Sequence, residues 1–213
     1  MADGLIGQTL GGTYRITRSS GRGGMGVVYE AVNVRIKRKF AIKVLRLSRT
    51  DDQDNFDRFE REARIGSRLG HENIVQVIDF NHTEDGSPYL VMEMLEGKDL
   101  AGVLGRGRKL PLERAANIFR QACQALTAAH AEKVVHRDLK PENIYLCTRP
   151  GGGELAKVLD FGISKVMDSS TVLTQGSAVM GTPNYMSPEQ ARGKIDEIDH
   201  RSDILAMGTI MHQ

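Results

Sequence analysis

Two stretches of this sequence carry residue types suited to phosphate chemistry. The first is Gly21-Arg22-Gly23-Gly24-Met25-Gly26, a GxGxxG spacing. Glycine lacks a Cβ, so its amides can approach a phosphate closely, a property that dinucleotide-binding and phosphoryl-transfer folds share. In a dinucleotide fold the glycine turn opens a helix. Here Val27-Val28-Tyr29-Glu30-Ala31-Val32 continues as an extended run, which argues against a dinucleotide-dependent oxidoreductase. No Gly-Lys-Ser/Thr ending follows, so a P-loop is excluded. Downstream, Phe40-Ala41-Ile42-Lys43 sets a lysine inside an apolar strand, where an unpaired ammonium would be costly. Glu62 stands one helical turn from an inward-facing Phe59 and can point at that lysine. Glu60 competes for the role, but it projects about 100° away from Phe59 and suits a surface pair with Arg64. The second stretch is His136-Arg137-Asp138-Leu139-Lys140-Pro141-Glu142-Asn143, followed by Asp160-Phe161-Gly162.

The elements that must position these groups change character along the chain. Residues 14–18 and 27–34 alternate as strands, 40–45 form a compact apolar strand, and 21–26 form the turn between the first two. A helix over 53–69 buries Phe56, Phe59, Ala63 and Leu69. Residues 74–80 and 89–94 read as a hairpin around the polar turn 84–87. Beyond Leu95 the pattern turns helical. Leu112, Ala115, Phe119, Ala122, Leu126 and Ala129 recur at three and four, and Pro111 suits the start of that helix. Short apolar segments follow at 134–136, 144–146 and 157–159, with Gly151–Gly153 at a hairpin tip. The sequence closes on an apolar helix over 202–211.

With the glycine loop, the strand lysine, the helix glutamate, the His136–Asn143 and Asp160–Gly162 motifs, and Gly181-Thr182-Pro183…Ser187-Pro188-Glu189 in that order, the chain resembles the protein kinase family. Gly23-Gly-Met-Gly-Val-Val-Tyr and the Ser-Pro-Glu-Gln ending resemble bacterial kinases of the eukaryotic type. The resemblance runs from Tyr14 to the C-terminus. It implies an α+β, bilobal kinase-like fold. An extension over 1–13 would precede a small antiparallel β lobe with one main helix over 14–95. A mainly helical large lobe would follow over 96–213, ending within its central helix. In the family further helices pack around that helix, so the sequence reads as an incomplete large lobe. The resemblance also implies that Asp203 ties this helix to the backbone of residues 136–138, and that Glu189 is the acidic half of an ion pair.

The implied activity is transfer of the γ-phosphoryl group of ATP, with Mg²⁺, to protein serine or threonine hydroxyls. An inactive remnant that only binds nucleotide or a partner is the alternative reading. Asp138 would accept the substrate hydroxyl proton and Lys140 would neutralise the transferred group. Lys43, held by Glu62, would contact the α- and β-phosphates. Asn143 and Asp160 would ligate Mg²⁺. ATP would be enclosed by Ser20, Gly21, Arg22, Gly23, Gly24, Met25, Gly26, Val27, Val28, Ala41 and Tyr145. Backbone groups of Glu93 and Leu95 would pair with the adenine, and Asp99 would meet the ribose. Ser20 departs from the branched apolar residue usual at its position. Lysine two residues after Asp138 resembles serine/threonine rather than tyrosine kinases. Arg137 implies a phosphorylated activation loop, with Thr174 preferred and Thr171 second, and self-association for autophosphorylation would accompany it.

Bulk properties narrow the remaining classes. The 213 residues are 40% hydrophobic and 26% charged with a net charge of +2, the profile of a soluble globular chain. That small excess does not point to nucleic acid, and the Arg35–Lys39 run reads as a solvated turn. No apolar run approaches the roughly 20 residues that span a bilayer, and no signal-peptide core is present, so the expected compartment is the cytoplasm. Cys123 and Cys147 lack CxxC spacing and are expected as reduced, buried thiols. His71, His82, His130, His200 and His212 read as structural or surface residues.

Overall fold

The computed structural model describes residues 4–23, 26–45, 66–105, 107–149, 151–161 and 183–213. Two compact units emerge, one from residues 1–68 and 76–95, the other from residues 69–75 and 96–213.

The first unit is a six-stranded sheet, antiparallel throughout, in the order β1-β2-β3-β4-β6-β5. Its strands are β1 (Thr9–Leu10), β2 (Tyr14–Gly23), β3 (Gly26–Asn33), β4 (Lys39–Leu45), β5 (Val77–His82) and β6 (Pro88–Glu93). Leu10, Ile16, Val27, Tyr29, Ala31, Phe40, Ile42 and Val91 fill its core, where Tyr14 meets Phe40 edge-on at 5.5 Å. Such β-branched and aromatic residues pack well on a pleated surface, which is why this stretch forms strands. Two register shifts in β2, between Ile16 and Arg18 and between Ser19 and Gly21, bend and twist the sheet. The strand continues past Arg18, and its pairing with β3 runs to Gly23 opposite Gly26, so the turn expected over 21–26 is largely strand. Cross-strand partners Val27, Val28 and Tyr29 supply the reason. At Gly26 a Cβ would lie 2.2 Å from the Val44 carbonyl oxygen, so only glycine lets β3 approach β4 there. The basic run is the exposed turn between β3 and β4, organised by the Asn33 side chain accepting from Arg35 and Ile36 amides. The helix expected over 53–69 lies outside the described residues except for 66–68, which are helical.

The second unit holds a three-stranded antiparallel sheet of β7 (Gly97–Asp99), β8 (Ile144–Thr148) and β9 (Glu154–Val158). Its α-helices among the described residues are α1 (Leu100–Leu104), α2 (Leu112–Ala131), α3 (Pro188–Ala191) and α4 (His200–Met211). α2 packs on β9, and its Ile118, Ala122, Ala125, Leu126 and Ala129 are all buried. Leu112, expected in that stripe, is 85% exposed. It precedes Ile118 by six residues, about 240° around the helix, and so faces water. Cys123 lies on the same wet side and is exposed, and Cys147 is half-buried, so neither is the buried thiol expected.

Residues 69–75 join the second unit although the sequence pattern placed them with the first. Val158 N–H donates to the Asn73 carbonyl at 2.8 Å, and Val75 N–H donates to the Val158 carbonyl at 3.0 Å. The Asn73 side chain donates to Gln121 Oε1 and to the Ala156 carbonyl, and Gln121 also accepts from Ala156 N–H. Buried backbone groups need partners, and this knot supplies them. α4 starts at His200, before the expected 202, because the Asp199 side chain caps it by accepting from Arg201 N–H at 2.9 Å. Ala206, Met207 and Ile210 are buried, whereas Ile204, Leu205 and Met211 are exposed.

Candidate active site

Strand register places the first group of candidates. Lys43 on β4 is buried, opposite Val28 on β3 and Leu90 on β6. Glu62 lies outside the described residues, as do Gly24 and Met25. Ser20, Gly21 and Arg22 are exposed on β2, followed by Gly23; Gly26 and Val27 are buried on β3, and Val28 and Ala41 are half-buried. Glu93 is committed to Gln76 twice: its N–H donates to the Gln76 carbonyl at 3.1 Å, and its Oε1 accepts from Gln76 N–H at 2.8 Å. Leu95 is half-buried.

In the second unit, β7 and β8 pair Asp99 with Tyr145. Asp99 caps α1 by accepting from Gly102 N–H at 2.7 Å, and the Tyr145 hydroxyl donates to the Gly97 carbonyl at 2.9 Å. Both therefore have structural partners that the sequence did not announce. Gly97 allows this pairing, since a Cβ there would fall 1.9 Å from the Leu146 carbonyl oxygen.

Residues 134–140 form no regular element, so side chains hold this loop. His136 is fully buried and lies 4.9 Å from the Phe161 ring. Its Nδ1 accepts from Asp138 N–H at 3.3 Å, and its Nε2 lies 2.7 Å from the Leu159 carbonyl oxygen. A ring nitrogen that accepts on one side and faces a carbonyl on the other must carry its proton on Nε2. Lys140 Nζ donates to Asp138 Oδ2 at 2.7 Å, leaving Oδ1 with no hydrogen bond among the described residues. Asn143 Nδ2 donates to the Asp138 carbonyl at 2.6 Å, which commits the amide nitrogen and turns Oδ1 to other use. Leu159 N–H donates to the Asn143 carbonyl, bringing Asp160 alongside the 3₁₀ turn Pro141–Asn143. Asp160 itself is half-buried in the left-handed region, with φ +58°. Asp138, Lys140, Asn143 and Asp160 are thus assembled in one unit. An amide oxygen and a carboxylate are donor types that suit a hard cation such as Mg²⁺.

α4 supplies the deepest anchor. The Asp203 carboxylate accepts from His136 N–H at 2.8 Å, Arg137 N–H at 2.9 Å and His130 Nε2 at 2.7 Å. Burial pushes this carboxyl up, but the His130, His136 and Arg137 donors outweigh it and hold it below the usual carboxylate range. Glu189 accepts from the Ser202 hydroxyl at 2.5 Å. Gln190 donates to the Arg137 carbonyl at 2.5 Å, a contact the sequence reading missed. A signal was present: Ser187-Pro-Glu-Gln190 has the capping-box spacing, and the structure forms that box. Thr171, Thr174, Gly181 and Thr182 lie outside the described residues.

Residues 14–213 match the protein kinase domain model. The chain is 44% identical to the serine/threonine-protein kinase pkn3 of Myxococcus xanthus, over 99% of this chain and 39% of that protein. It is 43% identical to Pkn1 of the same organism, over 99% of this chain and 30% of the relative. For PknA of Mycobacterium tuberculosis the identity is 40%, over 98% and 48%. The chain therefore spans less than half the length of each of these relatives. Buried loop anchors, a strand lysine and an oxygen-donor pair, together with a domain match along nearly the whole chain, lead to one assignment. The chain belongs to the protein kinase family, among its bacterial members of the eukaryotic type.

Proposed function

We propose that this chain transfers the γ-phosphoryl group of Mg-ATP to serine or threonine hydroxyls of protein substrates. The observation that carries the reading is the Asp138 carboxylate, oriented by Lys140 on Oδ2 and set on a loop whose backbone is hydrogen-bonded on several sides. The names of the relatives support serine/threonine acceptors. Asp138 accepts the proton of the substrate hydroxyl and orients its oxygen for in-line attack on the γ-phosphorus; the bond to the β–γ bridging oxygen breaks and ADP leaves. Lys140 offsets the negative charge on the transferred group. Lys43 binds the α- and β-phosphates, and amides of residues 20–26 cover them. Val28, Ala41 and backbone groups of Glu93 and Leu95 receive the adenine. Asn143 Oδ1 and the Asp160 carboxylate would hold Mg²⁺, which screens charge between phosphate oxygens.

Incubation with γ-labelled ATP, Mg²⁺ and a serine/threonine protein mixture tests this. The wild-type chain transfers label, and Asp138→Asn lowers the rate by about 10²–10⁴-fold with nucleotide binding retained. Equal rates in the two proteins would remove Asp138 from the chemistry.

The same reading extends to control through the residues after Asp160. Arg137 Nη1 is buried with no hydrogen-bond partner among the described residues. A phosphate on Thr174, or secondarily Thr171, would supply one and bring nearly two negative charges to it. Mass spectrometry after incubation with Mg-ATP should find phosphate within residues 169–177. Phosphate confined to other segments would reject this assignment.

A further inference from the structure

Arg137 has φ +69°, in the left-handed region that non-glycine residues seldom occupy. Such a conformation persists only where its surroundings hold it, so the partners of its two flanking peptide groups matter. On the N-terminal side, Asp203 accepts from both His136 and Arg137 N–H groups. On the C-terminal side lies the Arg137–Asp138 peptide. Its N–H donates to His136 Nδ1 at 3.3 Å, a long contact. Its carbonyl accepts from Gln190 Nε2 at 2.5 Å, a short one. Gln190 is the last residue of the α3 capping box, where its Oε1 accepts from Ser187 N–H at 3.0 Å. Both ends of the amide are therefore fixed by opposite needs: the oxygen must face an N–H and the nitrogen must face a carbonyl.

We propose that Gln190 is a positioning residue for Asp138. It clamps the Arg137–Asp138 peptide from α3 while Asp203 clamps the preceding one from α4. The peptide so held carries the Cα from which the Asp138 carboxylate projects. A rotation of that plane would swing the carboxylate away from the line of attack, and displacements near 1 Å are enough to cost about 100-fold in rate. This inference rests on the catalytic role assigned above to Asp138, and it adds a residue outside the catalytic motifs.

The test compares Gln190→Glu and Gln190→Met with the wild-type chain. Glutamate keeps the capping oxygen but turns a carboxylate toward the Arg137 carbonyl. When protonated, its O–H can donate where the amide did. Methionine keeps the length and loses both bonds. We expect kcat at pH 8 to fall about 10- to 100-fold in both variants with KM for ATP unchanged. Toward pH 5.5 the glutamate variant should recover relative to wild type, and the methionine variant should not. The ionisable groups of the same network, Asp138, His136, His130, Asp203 and Glu189, are common to all three proteins and cancel in the ratio. A second reading needs no activity: hydrogen exchange of the 136–139 amides at pH 8 should quicken in both variants, with wild-type melting retained at distant segments. If wild type transfers no phosphate, the proposed function fails while the exchange measurement still decides the clamp. Wild-type kcat with wild-type exchange in both variants would overturn it, as would a glutamate variant whose pH profile parallels that of methionine.

Discussion

Lys43 and Asp138 are held in place by different means. The described surroundings of Lys43 are strands: backbone ladders to β3 and β6, with apolar residues opposite it on either side. Around Asp138 there is no ladder, and the loop is held by side chains, Asp203 and Gln190 from remote positions and Asn143 and His136 from nearby ones. A ladder spreads a site's placement over many equal bonds, so it tolerates side-chain changes and fails where backbones touch. A loop concentrates placement in a few polar side chains, each of which matters. The two regions should therefore break under opposite kinds of substitution.

The largest effect is expected at Asp203. Asp203→Ala strands two buried backbone N–H groups and the His130 ring, and should lower unfolding free energy by about 3–5 kcal/mol in urea titration. Its carboxyl lies below its ordinary range when folded, so its contribution is complete above the unfolded value and is lost as pH falls through the lower folded one. The wild-type protein should lose stability across that acid window, and the alanine variant should lose less. A variant as stable as wild type would show that the loop does not depend on its anchors.

Next comes Gly26→Ala, which changes no polar group. The added methyl would meet the Val44 carbonyl at 2.2 Å, and relieving this should cost about 1–3 kcal/mol. Gly21→Ala, with nothing within 4 Å of its Cβ, should stay within about 0.5 kcal/mol of wild type. Equal melting temperatures for the two would contradict the close-approach account of the sheet.

The smallest effect belongs to a charged anchor in the sheet. Glu30 is buried and paired with Lys39 at 3.1 Å and Arg18 at 2.6 Å, and those bonds hold its carboxyl low. Both partners are largely exposed, so solvent screening should limit the loss in Glu30→Gln to about 1 kcal/mol. Because the folded value is depressed, that contribution disappears as pH falls through it, and the wild-type advantage over Glu30→Gln should vanish in acid. A loss as large as that at Asp203 would erase the distinction between the two regions.

What could be read from the sequence follows the same division. The strands around Lys43, the hairpin over residues 77–93 and the long helix α2 were legible, because period-two and helical spacing are local signals. The motif residues of the loop were legible as a resemblance, and the structure assembles Asp138, Lys140, Asn143 and Asp160 in one unit. Less visible were contacts between residues far apart in the chain. Gln190 reaches Arg137 across 53 positions, and Asn73 reaches Ala156 across 83, so no periodic pattern records either. Leu112 was misplaced for a local reason: the three-and-four spacing admitted it to the stripe, but it lies about 240° around the helix from buried Ile118 and faces water. Asp99 was assigned to a ligand before its first partner, the start of α1, could be seen.

The hairpin tip between β8 and β9 carries a lesson in handedness. Gly151, Gly152 and Gly153 have φ of +93°, +98° and +90°, and none would place a Cβ within 4 Å of another atom. Room is plentiful there; what the tip forbids is chirality. Its backbone is one that L-residues disfavour, so a side chain at any of the three positions would be strained however much space surrounds it. The alphabet available at those three codons is close to a single letter.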